Sequence, residues 1–247
     1  MIKALIYDIG GTLLYPKPPL EELCAYAEEV SGLHLPHEAF GKALPYLRHF
    51  MGERDQPAGR LWGSDAMLRE AWAEYYTHAM QAIGVDAPHE RMMEAGRIMS
   101  DWYTHPDRWA MYDDVPPVLE EARRRRLIQG VISDWGTDLV DILHGLEISP
   151  LMAFVVASGT VGFGKPSAEI FRAALDRAGV EPHEALYIGD TYTLDVLGAR
   201  GAGMAAALID RDGVSPLLDC PVLRHLGELF LLLDDEKHTH GHNASSR

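Results

Sequence analysis

Four short segments of this chain end in residues that can handle an anion or a cation. Asp8 closes the apolar run Ile2 to Tyr7 and is followed by Ile9-Gly10-Gly11-Thr12. Ser133-Asp134 close the run LIQGVIS, and Lys165 follows the glycine-rich turn of VGFGKP. Gly189-Asp190 close ALYIGD, and Asp195 stands five residues further on. Each has a plain reading by itself, since an aspartate after a strand is commonly a turn or helix cap. Together they read differently, because parallel strands bring all four tips to one edge. Carboxylates and backbone carbonyls suit Mg²⁺, which prefers oxygen ligands and keeps several waters. A lysine and a hydroxyl suit a phosphate dianion. A carboxylate between them can act as a nucleophile and form an aspartyl-phosphate.

The elements that must position these groups are legible in the apolar pattern. Ile2 to Tyr7 reads as a strand stopped by a glycine-rich turn. From about Pro16 to Trp109 the pattern is helical, with no convincing strand. Leu20, Leu23, Cys24, Ala27 and Val30 share one helical face, and Leu68, Ala71, Trp72, Tyr75 and Ala79 share another. Asp65 reads as the cap of the second helix, and GERDQPAGRLWGS as a loop between helices. After Asp113, apolar strands alternate with helices: VPPVLEEARRRR, LIQGVIS, LVDILHGL, MAFVVAS, SAEIFRAALDRAG, ALYIGD, LDVLGARGAG, MAAALID and a last helix PVLRHLGELFLLL. Continuous apolar strands of this kind imply a parallel sheet covered on both faces. The expected architecture is α/β, a Rossmann-like parallel sheet core formed by 1–15 and 110–247, with a helical cap inserted at 16–109. An insert directly after the first strand overlies the carboxyl ends of the strands, where open α/β sheets bind ligands.

Composition narrows the partners. The chain has 247 residues, with 22 Lys+Arg against 37 Asp+Glu, a formal net charge of −15, and 47% apolar residues. That is a globular composition. Its acidity argues against nucleic-acid or anionic-membrane binding, both of which need a basic face. It leaves room for a small basic pocket that takes one phosphorylated metabolite. Cys24 and Cys220 have no metal-like spacing and read as two thiols in a reducing cytosol. The N-terminal apolar run is too short for a signal segment, and ELFLLLDD is too short to span a bilayer, so a cytoplasmic protein is expected. There is no GxxxxGK[ST] and no GxGxxG after a strand. Nothing in the pattern sets the oligomeric state.

With these motifs in place, the chain resembles the haloacid dehalogenase-like (HAD) hydrolase superfamily along nearly its whole length. DIGGTLL resembles the first motif of that family, VISD the second, the lysine of GKP the third and IGDTYTLD the fourth. The insert resembles a helical cap placed between the first two motifs. The resemblance implies Asp8 as nucleophile, with Ser133 and Lys165 holding the phosphoryl group. It implies Mg²⁺ held by Asp8, the backbone carbonyl of Gly10 and Asp190, with Asp195 supporting the metal through water or by orienting Asp190 and Lys165.

One position departs from the family pattern. Its phosphatases read DxDGT, and here Gly10 stands where the second aspartate would be. That aspartate would protonate the leaving alkoxide and then activate water, help worth ~10²–10⁴ in rate. The leading reading is therefore a Mg²⁺-dependent phosphatase that lacks the usual acid. The others are a weakened fold kept for binding and, less favoured, a 2-haloacid dehalogenase. A cap histidine (His34, His37, His49, His78, His89 or His105) is a candidate replacement acid, and Arg48, Arg54 and Arg60 are candidate anion readers. For each of these a solvated side chain is the plainer reading. The same holds for His238, His240 and His242 in the polar tail. Trp72, Tyr75 and Tyr76 read as cap core, and ARRRR at 122–126 as cations closing a helix.

Overall fold

The computed structural model describes residues 1–43, 63–216 and 218–234. Its centre is a six-stranded parallel sheet. The strands are β1 (Ala4–Tyr7), β4 (Ile128–Ser133), β5 (Phe154–Ala157), β6 (Ala185–Gly189), β7 (Ala205–Ile209) and β8 (Val222–Leu223), in the order β5-β4-β1-β6-β7-β8. That is the doubly wound order, whose direction of winding reverses beside β1. Register aligns the tips: Tyr7 pairs with Val131 on one side and Ile188 on the other, and Ser133 pairs with Ala157. The residues just beyond these pairs, Asp8 and Asp190 among them, are carried to the same edge.

Alternation along β1 explains why both faces are covered. Leu5 and Tyr7 enter one cluster, with Val118, Leu119, Leu139 and Ile142. Ala4 and Ile6 enter the other, with Ile170, Phe171, Ala174 and Tyr187. The first face is closed by helices α4 (Val115–Arg124) and α5 (Leu139–Gly145), and the second by α7 (Ala168–Ala178). A short α6 (Ser158–Val161) continues directly from β5. Beyond β6 the chain turns through a π-helical segment, Tyr192–Val196, into α8 (Leu197–Gly201).

Between β1 and α4 lie α1 (Leu20–Ser31), α2 (Asp65–Ala82) and α3 (His89–Trp102), with a further helical turn at 37–43. They form their own apolar cluster, with Leu23, Cys24, Phe40, Tyr75, Tyr76, Met80 and Met99 buried in it. Arg69 pairs with Asp101, and Arg97 with Glu70, across α2 and α3. Tyr75 and Tyr76 are core, as expected, whereas Trp72 lies partly exposed and meets Tyr75 edge-on.

Three readings need correction. The chain leaves and re-enters the sheet domain through two strands, β2 (Leu14–Pro16) and β3 (Trp109–Met111), which pair antiparallel. Each is too short to show a period, and their pairing joins segments far apart in sequence. The expected last helix is instead β8, a 3₁₀ turn at Leu226–Glu228, and a helical stretch at 229–234. Val222 and Leu223 gain more by completing the open edge of β7, where they pair with Leu208 and Ile209. Finally, the cap of α2 is Ser64, whose Oγ accepts from the Met67 N–H at 3.3 Å. The arginines at 123–125 do end a helix, and each finds a carboxylate: Glu120, Glu121 or Asp234. No helix among the described residues is long and apolar enough to cross a membrane.

Gly130 in β4 faces the ring of Phe154 on β5, its register partner, and a Cβ there would collide with that ring. Gly130→Ala is expected to cost about 1–3 kcal/mol through overpacking. Urea unfolding of the variant checks this, and an unchanged midpoint would contradict the packing.

Candidate active site

Asp8 follows β1 directly, and its backbone N–H donates to the Ile188 carbonyl at 2.8 Å, so the sheet itself fixes its position. Its Oδ1 accepts from Ser133 Oγ at 3.1 Å and from Lys165 Nζ at 2.8 Å. Lys165 also donates to Asp195 Oδ1 at 2.6 Å. All four side chains are shielded: Asp8, Ser133 and Lys165 are 4% exposed and Asp195 0%. Asp190 stands beside them, and single oxygens of Asp8, Asp190 and Asp195 lie within 4.8 Å of one another. Asp8, Ser133, Lys165, Asp190 and Asp195 thus come together at the carboxyl edge of the sheet.

Burial by itself disfavours an ammonium, but Asp195 and Asp8 override it and hold Lys165 well above its ordinary value, a permanent cation. Burial pushes the Asp8 carboxyl up, and the Asp195 charge adds to this against the pull of Lys165. Asp195 has both oxygens engaged. Tyr187 Oη donates to Oδ1 at 3.0 Å, alongside Lys165, and the Thr191 N–H donates to Oδ2 at 2.9 Å. That arrangement orients Lys165. The oxygen-only donor set of Asp8, Asp190 and Asp195 fits a hard divalent cation such as Mg²⁺.

The two glycines after Asp8 have different tasks. Gly11 has φ +77°, and a Cβ there would run into the Asp190 carboxylate. Gly10 is not in the left-handed region, and the nearest atom to a Cβ built on it is a ring carbon of Trp135 at 3.9 Å. Glycine is therefore needed at position 11 for conformation and close approach. At position 10 the backbone and the space next to it would accept a Cβ.

Several residues around the site have partners that the sequence did not show. Asp134 Oδ1 accepts from the Lys165 backbone N–H at 2.9 Å. Burial drives its carboxyl up to about 7, against the pull of Lys165. Arg211 donates from Nη2 to the Thr12 carbonyl at 2.7 Å and from Nε to the Gly11 carbonyl at 3.3 Å. It also pairs with both Asp114 oxygens at 3.0 and 3.1 Å and lies 3.7 Å over the Tyr112 ring. One guanidinium thereby clamps the loop after Asp8 to the chain leaving β3. Asp65, at the start of α2, accepts from Thr137 through its backbone N–H at 3.0 Å and its hydroxyl at 2.6 Å. It ties the helical insert to the loop after β4. Only the bareness of Gly136 and Gly159, where a Cβ would stand 3.0 and 2.7 Å from Asp65 Oδ1, admits it there. A signal did exist for Asp134, adjacent to Ser133. None existed for Arg211 or Thr137, whose partners are remote in sequence.

Of the insert histidines, His34 is exposed and bonded to Glu28 at 2.7 Å, and His37 lies 3.8 Å from Glu21. His89 contacts Gln81. His49, Arg48, Arg54, Arg60 and the tail histidines lie outside the described residues.

The doubly wound sheet thus carries a buried carboxylate–lysine pair and an acidic cluster at its carboxyl edge, the edge at which open α/β sheets bind ligands. The sequence model of the haloacid dehalogenase-like hydrolases matches residues 2–203, and the chain belongs to that family. It is 30% identical over 223 residues to the human haloacid dehalogenase-like hydrolase domain-containing protein 3, covering 90% of this chain and 86% of that one. It is 32% identical over 234 residues to a phosphoserine phosphatase of Thermus thermophilus, covering 87% and 91%. Among solved structures it superposes on a HAD phosphatase from Thermococcus onnurineus with a TM-score of 0.64 at 24% identity, covering 94% and 98%. The chain is a hydrolase.

Asp134 gives the site a pH signature. In the unfolded chain its carboxyl ionises near the ordinary 3.8, and in the fold near 7. Below the lower value it is neutral in both states. Between the two values the unfolded chain has released the proton while the fold retains it, so stability is lost as pH rises from about 3.8 through about 7. Asp134→Asn keeps an acceptor for the Lys165 N–H and removes the ionisation. The variant's melting temperature should fall less than wild type's between pH 5 and pH 8, by on the order of 5 °C. Scanning calorimetry at the two pH values decides it, and parallel shifts would exclude the effect.

Proposed function

We propose that this hydrolase is a Mg²⁺-dependent phosphatase of a small phosphorylated metabolite, with Asp8 as its nucleophile. The observation that carries the reading is the buried contact of Asp8 with both Lys165 and Ser133, beside the Asp190 carboxylate. The hydroxyl and the ammonium that bond Asp8 Oδ1 are the donors a phosphoryl group would take over when its phosphorus meets that carboxylate. The insert, residues 16–109, serves in this reading as a cap over the reacting edge, held down by Asp65 on Thr137.

Asp8 attacks phosphorus, the bond to the leaving oxygen breaks, and the phosphoryl group passes to Asp8. Lys165 and Ser133 hold its equatorial oxygens while negative charge redistributes over them. Asp195 and Tyr187 keep Lys165 aimed and charged. Mg²⁺ held by Asp8, Asp190 and the Gly10 carbonyl, with Asp195 behind them, would supply the remaining positive charge. Water then cleaves the aspartyl-phosphate.

Gly10 shapes this chemistry. It offers no side chain to protonate the departing oxygen or to draw a proton from the attacking water. In the step that phosphorylates Asp8, esters whose leaving groups depart as stable anions, aryl and acyl phosphates, lose little by this, whereas the loss at the water step is common to all substrates. Alkyl phosphates bear most of a ~10²–10⁴-fold deficit. The same feature gives a second reading its footing, a weakened HAD fold that binds a phospho-ligand without turning it over.

Mg²⁺-dependent hydrolysis of an aryl phosphate is expected for wild type and should be abolished in Asp8→Asn. Absence of turnover with tight phosphate-ester binding would favour the binding protein. Gly10→Asp is expected to raise alkyl phosphate hydrolysis by a measurable part of that factor, since a Cβ at position 10 meets nothing closer than 3.9 Å. Rate plotted against leaving-group pKa is the measurement. A shallow slope already present in wild type would mean that another residue supplies the proton.

A further inference from the structure

We infer that Trp135 is a specificity-determining residue of this site, and that the ligand class it selects is a phosphate ester of a flat aromatic alcohol, a phenol. The inference rests on the phosphatase reading and names its substrate class. Its basis is what stands next to the bare position 10. The atom nearest to a Cβ there is Trp135 Cζ3, at 3.9 Å. Gly10 is two residues past the nucleophile, so a leaving group departing on its side passes the Trp135 ring.

That ring is fixed and has no proton to offer. Its only polar atom, Nε1, donates to Asp138 Oδ2 at 3.0 Å. Its backbone is held at both ends, with the Trp135 N–H donating to Ser158 Oγ at 3.2 Å and its carbonyl accepting from the Gly159 N–H at 3.0 Å. Trp109 of β3 packs edge-on against it with centroids 4.8 Å apart, and Tyr103 packs on Trp109 at 5.4 Å. Trp135 is half-buried and follows Ser133, the last residue of β4, by two positions, so ring and phosphate clamp lie on one continuous segment. An aromatic ring held this way beside the reacting edge is a preorganised stacking surface.

The chemistry agrees with the wall. The bond between phosphorus and the phenol oxygen breaks, the electron pair stays on that oxygen, and the new bond forms to the Asp8 carboxylate. A phenol titrates near 10, so phenolate departs without a proton. The missing acid and the aromatic wall therefore select the same leaving group.

The test uses the full-length protein with Mg²⁺ and three non-hydrolysable probes, phenyl-, cyclohexyl- and methylphosphonate, with binding measured by titration calorimetry. Phenylphosphonate should bind about three- to tenfold more tightly than cyclohexylphosphonate, the contribution of an aromatic pair beyond its area. Trp135→Leu should erase that ratio and Trp135→Phe should keep most of it. Equal binding of the phenyl and cyclohexyl probes to wild type would overturn the inference, whatever the variants do. So would a ratio that survives Trp135→Leu. Failure of all three probes to bind would overturn the phosphatase reading itself, and the inference with it. Binding of all three without discrimination would leave that reading standing and remove only Trp135's role.

Discussion

The contact on which this protein depends is one ammonium group, Lys165 Nζ, held between the carboxylates of Asp8 and Asp195 beneath the carboxyl edge of the sheet. Burying three such groups is costly, and their attraction offsets the cost only with good geometry and further hydrogen bonds. Those bonds come from Ser133, Tyr187 and the Thr191 N–H. Removing the lysine would leave two buried carboxylates uncompensated. Its retention holds Asp8 with one oxygen doubly engaged, by Lys165 and by Ser133.

The acid–base balance around that cation is deliberately uneven. Three carboxylates, those of Asp8, Asp134 and Asp195, surround one lysine, and Asp134 responds by holding its proton up to about 7. A fourth, Asp190, lies partly exposed beside Asp8. Such an excess of oxygen donors over cations is the electrostatic counterpart of a divalent-metal site. A dianionic phosphate entering it needs additional positive charge, which is the physical reason that the proposed chemistry includes Mg²⁺.

Two clamps bind the surrounding chain to this centre. The end of β4 carries Ser133 to Asp8, and the loop after it carries Asp134 to the Lys165 N–H, Trp135 to the side of Gly10, and Thr137 to Asp65 of the insert. Arg211 carries out the matching task on the other side, joining the Gly11 and Thr12 carbonyls to Asp114. Asp114 is held low despite its burial by that guanidinium and by the Leu226 N–H. The helical insert is thereby tied, through Asp65 and Thr137, to the same loop that follows Ser133.

By itself the sequence determined the α/β alternation, the continuous apolar strands and the polar residues at their tips. These are local properties: Asp8, Ser133 and Asp190 each follow an apolar run, and a strand's period decides which residues enter which face. It equally determined that position 10 has no side chain. What only the tertiary structure decided are contacts between residues far apart along the chain. β2 and β3 pair across the whole insert, and β8 forms because β7 had an open edge, although Val222 and Leu223 looked helical. Asp65 left its expected capping role for Thr137, and Arg211 reached back to Gly11 and Thr12. The ring of Trp135 came to lie beside Gly10. Periodicity reports which side of an element is apolar. It carries no information on which distant polar or aromatic group will arrive there, because that is set by sheet order and packing.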